Sequence, residues 1–175
     1  ANKFIELIDK SDKISSTIGL DGKEIQNSSR ISETVSLCDC TKIVMDLKKK
    51  VAKHLGVPIA NIEPVQAQVY SIGGKFENHQ DSFDTANLIK FGLGSGNRTK
   101  TLMIYLNYNI EGGCTTFPNL NQSIMPMTGT SVAWDNLNYK GEPDIRAKHA
   151  GEEVRFGKKY ILTFWCRERE FNYLE

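Results

Sequence analysis

The stretch KYILTFWC, residues 159–166, decides the class of fold. Apolar side chains occupy both of its alternating faces, with Ile161 and Trp165 on one and Leu162 and Phe164 on the other. Because successive side chains of a strand point to opposite faces, a strand that is apolar on both must be covered on each side. Three further runs show the same period of two: QAQVYSI (66–72), KTLMIYLN (100–107) and TSVAWD (130–135). Such runs, separated by turns that contain Gly and Asn, indicate a β-sandwich or jelly roll.

The residues before Pro64 show a helical period instead. NKFIELID, residues 2–9, reads as a short amphipathic helix. A second helix is predicted over residues 39–55, where apolar residues recur every four positions at Ile43, Leu47, Val51 and Leu55. Gly56 and Pro58 end this pattern, and the lysine run at residues 48–50 is interpreted as the solvated face of the helix. We therefore predict an α+β protein in which N-terminal helices support the strands.

Composition limits the classes of function. The chain has 175 residues, of which 39% are hydrophobic and 25% charged, and a net charge of +1, as a soluble globular protein would. This balance gives no reason to expect nucleic acid or an anionic membrane as a partner. No run approaches the roughly 18 apolar residues of a membrane span, and the N-terminal residues lack the apolar core of a signal peptide. The sequence leaves the compartment and the oligomeric state open.

The four cysteines, Cys38, Cys40, Cys114 and Cys166, are too few for a disulfide scaffold at this length. Cys38 and Cys40 are separated by one residue, which is too close for an easy mutual disulfide, and they do not form a CxxC pair. We interpret all four as ordinary thiols, with a disulfide or a metal-binding role as the alternative.

The glycine-rich run FGLGSGN, residues 91–97, does not match a phosphate-binding loop. It lacks the GK[ST] signature, and a β-rich run follows where a helix should begin. We interpret the run as a mobile loop.

A metal site is suggested by ENHQDSFD, residues 77–84. His79 and Asp81 are two residues apart, so on an extended segment both side chains point to the same face. An imidazole and a carboxylate are two of the three ligands of a 2-His-1-carboxylate site, which is typical of non-haem Fe(II) oxygenases. The chain has three histidines, so the third ligand is either His54 or His149. A zinc hydrolase uses similar ligands, and His-x-Asp alone is a weak signal.

Lys159 adds a second clue. It shares a strand face with Thr163 and Trp165, and a lysine in such a place is costly unless an anion meets it. One interpretation is a receptor for a dicarboxylate whose other end binds the metal. The other places Lys159 at the mouth of the sheet with its ammonium group in water.

Four segments, in order, resemble the prolyl 4-hydroxylases, a family of Fe(II)- and 2-oxoglutarate-dependent oxygenases. RISETVSL (30–37) is similar to the segment before the long helix of the family, and EPVQAQVYSIGGKFENHQDSF (63–83) contains its His-x-Asp-x-Phe pattern. NRTKTLMIYLN with GGCTTFP (97–118) matches R-x-x-T-x-x-x-Y-L and GG-x-T-x-F-P, and residues 149–169 match H-x-G followed by G-x-K. Phe76 and Cys114 depart from the tyrosine and the acidic residue that are usual there.

The resemblance, which spans residues 30–167, implies a fold and a domain plan. The fold is α+β, with a double-stranded β-helix (jelly-roll) core and N-terminal helices packed on the major sheet. Residues 1–175 are expected to form a single Fe(II)/2-oxoglutarate dioxygenase domain. Its helical support covers mainly residues 1–60 and its jelly-roll core residues 61–170.

The resemblance also implies roles for individual residues. The implied iron ligands are His79, Asp81 and His149. Lys159 is implied to pair with the distal carboxylate of 2-oxoglutarate, and the other residues implied around the cosubstrate are Thr101, as the hydrogen-bonding companion of Lys159, Tyr70 and Trp165. We expect the substrate groove to include Phe83, Arg98 and Trp134, with a structural role as the alternative for Arg98. The implied cofactors are Fe(II), 2-oxoglutarate, O2 and ascorbate.

The implied activity is 4-hydroxylation of prolyl residues in proline-rich or collagen-like peptides, with succinate and CO2 as coproducts. An extended proline-rich peptide is pre-organised and suits a groove. Two alternatives stay open: the same oxygenase chemistry on another residue or a small molecule, and a jelly-roll binding module without enzymatic activity. A zinc-dependent cupin-like enzyme explains less, because it gives Lys159 no role.

Overall fold

The computed structural model of the chain describes residues 1–15, 29–91 and 94–171. Within these ranges the helices are α1 (Asn2–Lys10), α2 (Lys42–Leu55) and α3 (Thr85–Phe91). The strands are β1 (Ile14–Ser15), β2 (Arg30–Ile31), β3 (Glu33–Ser36), β4 (Gln66–Tyr70), β5 (Lys75–His79), β6 (Arg98–Tyr105), β7 (Glu111–Gly112), β8 (Thr115–Phe117), β9 (Gln122–Ile124), β10 (Ser131–Asp135), β11 (His149–Gly151), β12 (Val154–Phe156) and β13 (Lys159–Arg167). None of the described helices has the length and apolar character needed to cross a bilayer.

The strands form a jelly roll. A six-stranded major sheet has the order β1-β3-β4-β13-β6-β10, and a five-stranded minor sheet has the order β2-β5-β11-β8-β9. A two-stranded sheet joins β12 to β7. Neighbouring strands are antiparallel throughout. The order mixes strands distant in sequence, so residues from both ends of the core meet in one cavity between the sheets.

Strand β13 is buried along its whole length, as its two apolar faces predicted. On one face, Leu162 and Phe164 belong to the larger hydrophobic cluster, which also contains Phe4 of α1 and Val51 of α2. On the other face, Ile161 belongs to a second cluster with the buried side chains of Tyr70, Met103, Tyr105 and Val154. The strand therefore divides the interior into a purely apolar side and a side that faces the cavity.

Helix α2 differs from its prediction in one residue of the lysine run. The helix begins at Lys42 and ends before Gly56, whose positive φ of 65° is a conformation that glycine adopts without strain. Lys49 and Lys50 are exposed as predicted. Lys48 is instead 4% exposed and pairs with Asp39 at 2.5 Å. Buried lysines require such a partner, and spacing alone does not show that Asp39 provides it.

The interpretation of all four cysteines as thiols is wrong for Cys38 and Cys40, which form a disulfide. The backbone N–H of Thr41 donates to the carbonyl oxygen of Cys38 at 3.0 Å, so the chain turns here. The turn brings the two Cα atoms to 5.1 Å, within the range that a disulfide spans. Cys114 and Cys166 are thiols as expected.

The glycine-rich run is only partly described, because residues 92 and 93 lie outside the described ranges. Residues 94–97 make hydrogen bonds to other segments, and the mobility that we expected for the run stays a prediction. The carbonyl oxygens of Gly94 and Gly96 accept hydrogen bonds from Arg169 and Arg167 at 2.9 and 2.6 Å. The Asn97 side chain exchanges two hydrogen bonds with the backbone of Phe83.

Candidate active site

Strand pairing brings the candidate metal ligands together. His79 ends β5 and His149 begins β11, and the two residues lie directly opposite each other in the antiparallel ladder. Asp81 follows His79 by two residues, and one ligand atom from each of the three side chains lies within 4.8 Å of the others. His54, the other histidine considered from sequence, is exposed on α2 and is not part of this cluster. The ladder therefore selects His149.

Each imidazole is oriented by a backbone carbonyl oxygen. Nδ1 of His79 lies 2.7 Å from the oxygen of Glu77, and Nδ1 of His149 lies 2.9 Å from that of Ala147. The ring proton is donated to this acceptor, so Nε2 carries the lone pair. Both Nε2 atoms face the Asp81 carboxylate, at 3.8 and 3.9 Å from its two oxygens. Two neutral imidazoles and one carboxylate fit a divalent metal ion of the Fe(II) type.

The pKa shifts of His79 and Asp81 favour the same ligand state. Burial, followed by the neighbouring His149, lowers the pKa of His79 to about 4, so the ring is neutral near pH 7. Burial alone would raise the pKa of Asp81. The adjacent His149 and His79 lower this pKa, and together with smaller contributions they outweigh the effect of burial. The net pKa of Asp81 is below its ordinary value, so the carboxylate is ionised.

A buried hydrogen-bond relay holds Asp81. The Thr101 hydroxyl donates to Oδ2 of Asp81 at 2.7 Å, and the Asn136 side-chain amide donates to the Thr101 hydroxyl at 2.8 Å. Thr101 and Asn136 are 0% and 1% exposed. Because the amide supplies a proton to Thr101, the hydroxyl must direct its own proton to Asp81. Thr101 therefore positions the carboxylate and does not line the cavity.

This relay predicts a metal-binding defect in Thr101→Val. Valine keeps the volume but removes the hydroxyl, so Asp81 loses its orienting donor, and affinity for Fe(II) or Co(II) should fall roughly ten- to a hundredfold. Titration of the metal-free protein with Co(II), followed by visible absorption, measures the effect. Thr101→Ser keeps the hydroxyl and should bind like the parent. Equal affinity in Thr101→Val and the parent would show that the relay does not position Asp81.

The far end of the cavity carries Lys159. Its ammonium group is 2% exposed, donates to the carbonyl oxygen of Gly113 at 2.6 Å, and lies 5.2 Å from the ring centroid of Tyr70. Burial lowers the pKa of Lys159 to about 8. Gly113 allows the contact, because a Cβ atom there would lie only 3.2 Å from the Lys159 side chain. Burial excludes the interpretation that places the ammonium group of Lys159 in water, and the role as a dicarboxylate receptor stays a prediction.

The spacing between Lys159 and the metal ligands suits a short dicarboxylate. A Cβ atom on Gly151 would lie 3.9 Å from the Lys159 ammonium nitrogen, and Gly151 follows His149 by two residues on β11. Two residues of a strand cover about 6.6 Å. That length is comparable with a five-carbon dicarboxylate.

Thr101 lies at the wrong end of the cavity for its implied role as the companion of Lys159. Its hydroxyl is bonded to Asp81 at the metal end, and its partner in the ladder, Trp165, lies six residues along β13 from Lys159, a backbone separation of about 20 Å. Thr115 is at the correct end: it is 2% exposed, lines the same cavity as Lys159, and accepts a hydrogen bond from the Tyr105 hydroxyl at 2.7 Å. The sequence contained this residue in GGCTTFP, two positions after Gly113, whose carbonyl oxygen accepts from Lys159, and that short spacing was the available signal.

The cavity walls include three residues that sequence singled out: Tyr70, Trp134 and Trp165. Trp134 lies 4.7 Å from the ring of His149, and Phe76 stacks on the ring of His79 at 3.5 Å. Arg30, which sequence reasoning missed as a site residue, also lines the cavity, with its guanidinium 4.7 Å above Phe76. The walls are thus largely aromatic around the two imidazoles.

Arg98 and Phe83 do not line this cavity, although both were expected at the substrate groove. The Arg98 guanidinium makes two hydrogen bonds to the Glu63 carboxylate, at 2.7 and 2.9 Å. It also lies 3.8 Å above the ring of Trp165, and Arg167 reaches the same carboxylate at 2.6 Å. The Phe83 ring is flanked by the two guanidinium groups, at 5.2 and 4.9 Å. These contacts support the cavity wall from behind.

The Glu63 cluster predicts a loss of stability in Glu63→Gln. Glu63 is 6% exposed and bridges Arg98 and Arg167. The neutral glutamine side chain of the variant would therefore leave buried guanidinium charge uncompensated. The free energy of unfolding should fall by about 3 kcal/mol, measured by urea denaturation. Asp46→Asn, which breaks an exposed helical pair with Lys42, should leave the free energy of unfolding close to the parental value. A similar cost for both variants would contradict the assigned importance of the cluster.

Comparison with known proteins agrees with this geometry. The family described as the 2OG-Fe(II) oxygenase superfamily matches residues 65–167. Prolyl 4-hydroxylase subunit alpha-1 of Bos taurus is 33% identical over 129 residues, which is 73% of this chain and 24% of that protein. Prolyl 4-hydroxylase subunit alpha-3 of Rattus norvegicus is 34% identical over 149 residues, 83% of this chain and 27% of that protein. The chain thus spans about a quarter of the length of these relatives.

A solved viral structure is similar to the chain over most of its length. It is the viral collagen prolyl hydroxylase of Paramecium Bursaria Chlorella virus-1 in its 2OG complex, with a TM-score of 0.73, 28% identity, and coverage of 95% of this chain and 88% of that one. The chain belongs to the 2OG-Fe(II) oxygenase superfamily. Within that superfamily it is a prolyl 4-hydroxylase-like catalytic domain.

Proposed function

We propose that the chain is an Fe(II)- and 2-oxoglutarate-dependent dioxygenase that hydroxylates prolyl residues at the 4-position in proline-rich or collagen-like peptides. The observation that carries the proposal is the arrangement along one cavity. The His79, Asp81 and His149 cluster lies at one end, and the buried ammonium of Lys159 lies beside Gly151, two residues further along β11. This geometry explains why a lysine is buried opposite a metal site.

In this proposal the iron is held by His79, Asp81 and His149, and 2-oxoglutarate lies between the iron and Lys159. When bound, iron and cosubstrate supply an oxidant from O2, with succinate and CO2 as coproducts. Lys159 neutralises the distal carboxylate and fixes its position through a charge-assisted hydrogen bond. Thr115 and Tyr70 line the same end, and the rings of Trp134 and Trp165 keep water from the cavity.

The choice of a prolyl substrate is supported by the relatives. The bovine and rat proteins are prolyl 4-hydroxylase subunits, and the viral protein is a collagen prolyl hydroxylase. We extend prolyl hydroxylation to this chain, with a proline-rich peptide or protein as the partner and ascorbate as the implied reductant. The same proposal covers its organisation as one catalytic domain in which α1 and α2 support the major sheet.

The test is turnover of 2-oxoglutarate with a proline-rich peptide in the presence of Fe(II). We expect succinate release coupled to a product that is one oxygen heavier on a prolyl residue, identified by mass spectrometry. Matched peptides in which lysine or asparagine replaces the proline test the alternative substrates. If succinate release requires the site but proline is never modified, the substrate assignment is wrong. If 2-oxoglutarate is not consumed at all, the oxygenase assignment is wrong.

A further inference from the structure

A second cavity, of about 190 Å³, adjoins the cluster of metal ligands. Its apolar floor is formed by Phe117, Leu120, Trp134 and Ala147. We call this cavity the side groove. Trp134 lines both the side groove and the cavity that holds the metal ligands, so the two spaces share one wall. A molecule that reaches the metal site past Trp134 therefore has the side groove next to it.

The floor of the side groove rests directly on a metal ligand. The ring of Phe117 stacks on His149 at 5.5 Å, and Trp134 lies 4.7 Å from the same imidazole. Phe117 and Trp134 also contact each other edge to face at 5.2 Å. The indole N–H of Trp134 has no acceptor among the described residues, although it is buried.

The rim of the side groove is held in place by hydrogen bonds. The Asn119 side chain donates to the carbonyl oxygen of Ile145 at 2.6 Å and joins the two turns that form the rim. Gln80, which lies between the ligands His79 and Asp81, donates to the carbonyl oxygen of Asp144 at 2.9 Å. The rim is therefore tied to the segment that carries the metal ligands. Such preorganisation lowers the entropic cost of binding.

The charges around the side groove are already compensated. Asp144 pairs with Arg146 at 2.7 Å, and Asp135 pairs with Lys100. The rim thus presents no unbalanced charge to a ligand, while its floor leaves Leu120 48% exposed. This combination favours a neutral, apolar occupant. Aromatic-lined grooves of this kind suit proline-rich chains in the polyproline II conformation.

We propose that the side groove binds residues that flank the oxidised residue of the polypeptide substrate, and that it prefers prolyl or aliphatic side chains there. The proposal rests on the proposed prolyl hydroxylation and adds where the neighbouring part of the substrate lies. The substrate then contacts the His149 side of the metal site. That is a different place from Phe83 and Arg98, which the sequence suggested.

The test compares a long proline-rich peptide with a tripeptide centred on proline. Leu120→Asp puts a charge on the apolar floor, so the ratio of kcat/KM for the long peptide to kcat/KM for the tripeptide should fall about tenfold. Met127→Asp is the matched control. Met127 is 62% exposed and lies before the first residue of β10, whereas Trp134 lies near the last residue of that strand. This control should keep the parental ratio. Circular dichroism and the KM for 2-oxoglutarate verify that Leu120→Asp is folded and has an intact metal site.

The outcomes separate this inference from the proposed function. If the parent oxidises both peptides and Leu120→Asp keeps the parental ratio, the side groove does not bind substrate, while prolyl hydroxylation stands. If Met127→Asp lowers the ratio as much as Leu120→Asp, the effect is one of charge alone and the side groove is again rejected. If the parent oxidises no prolyl peptide, the proposed function fails and the side groove assignment fails with it.

Discussion

Replacing His149 with alanine is expected to lower turnover of 2-oxoglutarate by roughly a thousandfold or more, because a 2-His-1-carboxylate site does not hold its metal with one imidazole missing. His149 is 7% exposed, and its Nδ1 is committed to the carbonyl oxygen of Ala147. Among the described residues, no fourth metal-ligating side chain joins the cluster to take its place. The neighbouring His79 and Asp81 would offer only two ligands. Succinate release measures turnover, and Co(II) titration of the metal-free protein measures the loss of binding.

The chain offers a matched control for this substitution. His54 is exposed on α2, outside the ligand cluster, so His54→Ala should keep the parental rate and metal affinity. Asp81→Ala should reproduce the defect of His149→Ala, whereas the additional effect of combining the two should be small. Parental turnover in His149→Ala, or a comparable loss in His54→Ala, would overturn the assignment of the metal ligands.

The sequence predicted features that depend on local spacing. The alternation in residues 159–166 predicted a strand covered on both sides, and β13 is buried on both. The His-x-Asp spacing predicted two side chains directed to one place. His149 required the resemblance, because its position opposite His79 is a property of the β5–β11 ladder. Residues about 70 positions apart meet only through that pairing, and spacing does not reveal it.

Most errors concern how far along a strand a residue lies. Thr101 was assigned to the cosubstrate by the resemblance, but the β6–β13 register pairs it with Trp165, and its hydroxyl binds Asp81 instead. Arg98 was left between a structural and a substrate-side role, and its partner Glu63, 35 residues away in sequence, is visible only in the folded chain. The Cys38–Cys40 disulfide depends on a local turn that the residue types do not predict. Register and side-chain partners decide each case, and both require the folded chain.

Replacing Lys159 with alanine is expected to raise the KM for 2-oxoglutarate by about a hundredfold, the cost of losing a buried charge-assisted contact. Lys159→Arg should recover much of the affinity, since arginine supplies a permanent positive charge. The exposed neighbour Lys158 is the control, and Lys158→Ala should keep the parental KM. A parental KM in Lys159→Ala would show that the distal carboxylate binds elsewhere.

The pH dependence of the KM for 2-oxoglutarate tests the role of Lys159 independently. Burial lowers the pKa of Lys159 to about 8, so below this pH the ammonium form, which attracts a carboxylate, predominates. Above it the amine becomes neutral, and the KM for 2-oxoglutarate in the parent should rise as the pH increases from 8 to 9.5, approaching about tenfold per pH unit. In Lys159→Arg the guanidinium stays charged over this range, so the KM should stay level. A rise that is equally steep in both proteins would place the titrating group elsewhere, because at position 159 lysine loses its charge in this interval and arginine does not.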